Sequence, residues 1–87
     1  MDIKKLNLGC GKDIRKSNEI EWVNIDKFRL QGVDVIHDLT KFPYPFKNNY
    51  FDEIVSLGSL ELINADFIRI LEELHRICKP HAIIKIR

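Results

Sequence analysis

At 87 residues the chain has room for one domain, residues 1–87, and a domain this small buries only about 60% of the surface its unfolded chain exposes. With 45% hydrophobic and 31% charged residues it reads as globular, and a net charge of +1 speaks against a polyanion as main ligand, which would call for a strong basic excess. Cys10 and Cys78 show no pairing pattern, no apolar leader precedes Lys4, and no run approaches the ~20 apolar residues of a membrane span, so a reducing cytoplasm is the expected location.

Five short apolar runs predict strands, at residues 5–8, 22–26, 33–37, 51–57 and 82–86. None adjoins a two-residue hairpin signal such as Asn-Gly, so parallel crossovers are expected. A short helix is expected over residues 13–18, after the first strand. The link between the second and third strands is tight: residues 27–32 reach about 20 Å when extended, just enough to return along a five-residue strand of about 17 Å. A parallel pairing fits that reach, and an antiparallel one would break the fold assignment. Residues 39–49 carry Pro43, Pro45 and the Asn48-Asn49 pair and read as loop, with Phe42, Tyr44 and Phe46 available to lie over the sheet.

One amphipathic helix is expected from about residue 65 to residue 77. Phe67, Ile70, Leu71, Leu74, Ile77 and Cys78 form its apolar stripe, and Asp66, Arg69, Glu72, Glu73, His75 and Arg76 its polar face. Asn64 caps it, Glu72 and Arg76 are expected to pair at i,i+4, and Pro80 stops it.

Chemistry gathers at the ends of the first three strands. The first runs into Gly9-Cys10-Gly11, and glycines there allow positive φ and close approach of a ligand to the backbone. In open α/β sheets ligands bind beyond the carboxyl ends of the strands, where the strand order switches. Asp26 ends the second strand, where a carboxylate can accept both hydroxyls of a ribose. Asp38 and Leu39 follow the third, as a polar group and an apolar wall for a purine. Simple turn formation is the plainer reading of the glycines, Asp26 and Asp38. Cys10 reads as a small filler rather than a nucleophile, Cys78 as core, and no His/Cys pair has metal-ligand spacing.

These residues, in this order, resemble the N-terminal core of the class I S-adenosylmethionine-dependent methyltransferases. Leu6-Asn7-Leu8-Gly9-Cys10-Gly11 resembles the family's first motif, Asn24-Ile25-Asp26 its acidic motif, and Val33 through Leu39 its third-strand motif. Phe46 through Ile54 resembles the run into strand four, and Leu74 through Pro80 the helix end before strand five. The resemblance implies a Rossmann-like, mostly parallel five-stranded α/β sheet in the order 3-2-1-4-5, stopping before the family's last two strands, with S-adenosylmethionine as cofactor. The residues expected to line the cofactor site are Asn7, Gly9, Cys10, Gly11, Asp26, Lys27, Asp38, Leu39 and Ser56.

Three departures stand out. Leu60-Glu61-Leu62 lacks the family's histidine, Pro80-His81-Ala82 replaces Pro-Gly-Gly, and the sequence stops at Arg87. Methyl transfer is an in-line displacement in which orientation does most of the work, so no base is obligatory; Glu61 and His37 are the candidates if one acts. Ser56-Leu57-Gly58-Ser59 does not resemble the Asn/Asp-Pro-Pro-Tyr box of methyltransferases acting on bases. The methyl acceptor is not specified. A non-catalytic or partner-dependent cofactor-binding module is the alternative. A nicotinamide dinucleotide binder is a weaker one, because the third glycine of its fingerprint falls at Ile14. Residues 82–86 would form an apolar edge strand, so a homodimer or a partner chain is expected at that strand or at the helix.

Overall fold

Alternation along the strands decides which side of the sheet is covered. Leu6, Leu8, Val23, Ile25 and Ile54 project to one side and join Leu39, Tyr44, Phe51, Ile70, Leu74 and Ile77 in a single core. Lys5, Trp22 and Glu53 project to the other, where Lys5 reaches Glu53 at 3.4 Å and lies 5.7 Å from the centre of the Trp22 ring. The structure, a computed structural model, describes residues 3–56 and 67–86.

The strands are β1 (Ile3–Leu8), β2 (Ile20–Asp26), β3 (Val35–Ile36), β4 (Phe51–Ser56) and β5 (Cys78–Ile86), with helix α1 (Phe67–Ile77) between the last two. They form one sheet in the order β3-β2-β1-β4-β5, with every neighbouring pair parallel. This is the expected Rossmann-like order, and it includes the tight β2–β3 crossover. β3 is formally shorter than expected, which leaves residues 27–34 for the connection. Hydrogen bonds from Asp34 N to Asn24 O (2.8 Å) and from His37 N to Asp26 O (2.9 Å) still continue the parallel contact on either side of it.

α1 packs Ile70, Leu74 and Ile77, all fully buried, against the sheet. Each such side chain contributes about 1.5–3 kcal/mol, and Leu74→Ala would cost about 2–5 kcal/mol. Its last carbonyls are satisfied by the preceding loop: Asn49 N donates to Arg76 O at 2.9 Å and Tyr50 N to Ile77 O at 2.8 Å. The expected cap at Asn64 and the start of the helix at 65–66 lie outside the described residues.

Three expectations are corrected. No helix forms at 13–18; that stretch is irregular, for a reason given below. Arg76 pairs with Glu73, not Glu72, because Glu73 lies on the side facing the loop, where it also accepts the Tyr44 N–H. Strand five starts at Cys78, which pairs with Phe51, and a register shift follows before Ile83 pairs with Glu53. His81 sits at that irregularity with φ 68°, a left-handed conformation that glycine adopts more readily. No helix among the described residues is long and apolar enough to cross a membrane.

Candidate functional site

Parallel strands deliver their carboxyl ends to one edge, and the reversal in strand order between β1 and β4 puts the switch point between Leu8 and Ser56, which are paired in register. The glycine turn leaves β1 at that point. Gly9 and Gly11 take φ of 67° and 52°. Gly9 N and Cys10 N both donate to Ile25 O at 3.0 Å, which ties the turn to the end of β2. A Cβ added at Gly11 would meet nothing within 4 Å, so the backbone there faces open space.

Asp26 closes the other side. One carboxylate oxygen accepts Gly11 N–H at 2.8 Å and the other accepts Phe28 N–H at 3.1 Å. The residue is 7% exposed. An ionised carboxylate has about four acceptor positions, so two remain beyond these bonds. Gly11 and Asp26, separated by fifteen positions in the chain, are thus brought into contact.

Asn7 and Asn24 explain the irregular loop. They lie side by side on β1 and β2, nearly inaccessible to solvent, with Asn7 Nδ2 donating to Asn24 Oδ1 at 2.9 Å. Asn7 Nδ2 also donates to Asp13 O. Asn24 takes the backbone of Arg15 from both sides, accepting its N–H at 2.9 Å and donating to its carbonyl at 3.0 Å, and donates to Asp34 Oδ2 at 3.0 Å. These bonds occupy the Asp13 and Arg15 groups that a helix would have used, so residues 13–18 stay irregular. The Asn7 side chain is therefore committed to holding the loop. A polar residue at a buried strand position was the only trace of this in the sequence; the roles of Asn24 and Asp34 were not anticipated.

The remaining expected residues are distributed as follows. Cys10 is buried in the turn, and burial, reinforced by the Asp26 carboxylate, pushes its thiol up to about 11, as befits a filler. Asp38 Oδ1 accepts Thr40 N at 2.9 Å and Thr40 Oγ at 2.7 Å, and these bonds hold its carboxyl below the usual range. Leu39 follows, but its side chain is 1% exposed and belongs to the core, so only its backbone borders the edge. Ser56 is buried at the end of β4, and its Oγ finds no hydrogen-bond partner among the described residues. Lys27 is exposed beside Asp26, its ammonium 5.0 Å from the Phe28 ring centre. His37 Nε2 lies 2.9 Å from Lys41 O. Glu61, Leu57, Gly58 and Ser59 lie outside the described residues. A cavity of about 690 Å³ lined by Lys12, Ile14, Lys16, Leu30, Gln31 and Gly32 adjoins the glycine turn without including Asp26 or Asp38. Among the described residues, no three His, Cys, Asp or Glu groups converge as metal ligands.

The same geometry argues against a dinucleotide. A pyrophosphate needs free N–H groups at a helix N-terminus. Here the N–H groups of Gly9, Cys10 and Gly11 are all used within the protein, and no helix follows.

Residues 13–86 match the family described as "Methyltransferase domain". The chain belongs to this family. The fold of this methyltransferase domain is also similar to a chain in the complex between the Haloferax volcanii Trm112 methyltransferase activator and a candidate methyltransferase, with a TM-score of 0.60 and 20% identity. That likeness covers 93% of this chain and 42% of the other, so the domain spans less than half of its structural neighbour. No curated protein matches it significantly.

Proposed function

We propose that this methyltransferase domain binds S-adenosylmethionine at the carboxyl edge of β1 and β2 and serves as the cofactor-binding core of a methyltransferase. The observation that carries the reading is the Asp26 carboxylate, which anchors the glycine turn through Gly11 and keeps two acceptor positions beside open backbone. Those positions suit the two hydroxyls of a ribose. Ser56 Oγ, at the end of β4 across the switch point and without a hydrogen-bond partner among the described residues, is the polar group nearest the place we assign to the amino-acid end. The corner at Asp38 and Leu39 is the place for the base.

Bound there, S-adenosylmethionine would supply a methyl group activated by its positively charged sulfur. The domain's own residues then orient rather than activate, since holding donor and acceptor in line accounts for much of the rate. Neither His37 nor Glu61 is required as a base in this reading.

Calorimetry of the 87-residue chain with S-adenosylmethionine and S-adenosylhomocysteine tests the proposal. Asp26→Ala should lower either affinity by roughly tenfold to a hundredfold, the loss of one or two charge-assisted hydrogen bonds. Absence of binding by the wild type at millimolar cofactor sinks it. Methyl-transfer assays with and without cell extract separate an active domain from a binding module.

For partners, the proposal is that a second chain, either another copy or a distinct subunit, pairs at β5. That strand lies at the end of the described sheet with Ile83 54%, Ile84 37% and Ile86 41% exposed. A monomer by light scattering at high concentration removes the homodimer.

A further inference from the structure

The Asp38–Leu39 corner hangs on a chain of contacts that begins on the helix layer. Glu73 on α1 accepts the Tyr44 N–H at 2.6 Å. Arg76, one turn on, pairs with Glu73 and donates to three groups of the loop: Tyr44 O at 3.0 Å, Phe46 O at 2.8 Å and Asn48 Oδ1 at 2.9 Å. The backbone of Tyr44 is thereby gripped on both its N–H and its carbonyl. Its ring is 2% exposed, stacked on Phe42 with centroids 5.5 Å apart and edge-on to His37 at 5.6 Å. The ring has no freedom to swing, so its hydroxyl has one place to go. It donates to Leu39 O at 2.8 Å, a buried bond spanning five residues.

We propose that Tyr44 is a positioning residue of the cofactor site: fixed by Glu73 and Arg76, its hydroxyl sets the Leu39 carbonyl and so the corner against which the cofactor's base lies. The proposal rests on the cofactor reading above. A plain core role would need only the ring; the hydroxyl is what reaches the site. Burial, and secondarily the Glu73 carboxylate, hold the phenol above its ordinary range, which favours the protonated, donating form. Nothing else fixes Leu39 O among the described contacts, whereas the rest of the corner is local: Thr40 N–H on Asp38 Oδ1 and Lys41 N–H on Asp38 O. Beside the packing of the Leu39 side chain in the core, the tyrosine hydroxyl is thus the hydrogen bond that ties this corner to the packed layer.

Tyr44→Phe keeps the ring and deletes the hydroxyl. In the ligand-free chain, amide hydrogen exchange at Thr40 and Lys41 should rise about fivefold or more in Y44F, while Leu6 and Leu8 of β1 keep their protection; exchange unchanged at those two amides overturns the proposal. With cofactor, Y44F should weaken S-adenosylhomocysteine by about five- to tenfold, one net hydrogen bond's worth. Its preference for that ligand over the hypoxanthine analogue should narrow, which a general loss of stability would not produce. Wild-type binding with unchanged Y44F affinity and selectivity overturns the positioning role alone. No binding by the wild type overturns the cofactor reading and with it the role assigned to the corner. Should Y44F fail to fold, Glu73→Gln, which keeps ring and hydroxyl but weakens the grip of Arg76, must raise exchange at the same two amides, and its failure to do so counts equally against the proposal.

Discussion

Replacing Asn24 by aspartate exchanges one amide group for one oxygen, with almost no change in volume, and the structure assigns that exchange a large effect. In the native chain all four hydrogen-bonding positions of the Asn24 side chain are filled: Oδ1 accepts from Asn7 and Arg15, and Nδ2 donates to Arg15 O and Asp34 Oδ2. Aspartate keeps the first two and loses the last two. The two lost bonds are worth about 1 kcal/mol each. The new carboxylate would also face Asp34 Oδ2 across the 3.0 Å that the amide now bridges. Two like charges about 4 Å apart repel by about 4 kcal/mol at an effective dielectric of 20, and because Asp34 is exposed we take about 1–2 kcal/mol of it. The sum is about 3–4 kcal/mol at pH 7, or roughly 12–30 °C in Tm for a domain of this size. The pH dependence carries its own signature. A carboxyl whose folded pKa is raised by a like charge destabilises above its folded value, and the penalty fades as pH falls through that value. The gap between N24D and wild type should therefore shrink to about 1–2 kcal/mol near pH 4, where the protonated carboxyl regains one donor for Arg15 O or Asp34 Oδ2. Asn24→Ala, which introduces no charge, should show a gap that does not change with pH. Urea unfolding followed by circular dichroism at both pH values measures all of this. A gap below 1 kcal/mol at pH 7, or one equal at both pH values, refutes the role given to Asn24 as holder of the loop.

Further outcomes follow from the same contacts. His81→Gly should stabilise the domain by about 0.5–1 kcal/mol in thermal unfolding, since glycine relieves the left-handed φ of 68° at the β5 irregularity. Gly32→Ala should cost about 2 kcal/mol or more, because φ is +90° and the new Cβ would stand 2.8 Å from Ile14 Cγ1; Gly11→Ala, with open space around it, should cost only about 1 kcal/mol and act instead on cofactor affinity. Asp38, Asp52 and Glu73 all have carboxyls held below their ordinary range, by Thr40, by the Lys4 backbone N–H with Lys79, and by Arg76 respectively. A lowered folded pKa gives stability that is present above the unfolded value near 4 and is lost as pH falls through the folded one, so denaturant midpoints should drop below about pH 4, and less steeply in Glu73→Gln. Burial pushes the Cys10 and Cys78 thiols to about 11, so both should react with a thiol reagent at pH 8 far more slowly in the native chain than in urea.

Much of the fold was legible in the sequence. The 3.6-residue stripe of Ile70, Leu74 and Ile77 gave α1 its buried face, and the absence of hairpin signals gave parallel strands. The glycine turn and Asp26 stood at strand ends in the linear pattern, and parallel pairing brought them to one edge. The loop at 13–18 was not legible, because its weak local helical preference is overridden by Asn24, a side chain nine residues beyond Arg15. Nor was the partner of Arg76, since Glu72 and Glu73 are equally placed by spacing and only the loop carbonyls decide between them.

By itself, then, the sequence determined what depends on neighbours along the chain: the order of the five strands and α1, the buried stripe of that helix, and the glycine turn that is left-handed at Gly9 and Gly11. Only the tertiary structure decided what depends on groups distant in sequence: that the N–H groups of Gly9, Cys10 and Gly11 are spent on Ile25 and Asp26, and that Leu39 is core while its carbonyl is held by Tyr44. The physical reason is that hydrogen bonds of buried polar groups are satisfied wherever the fold brings a partner, and periodicity says nothing about which partner that will be.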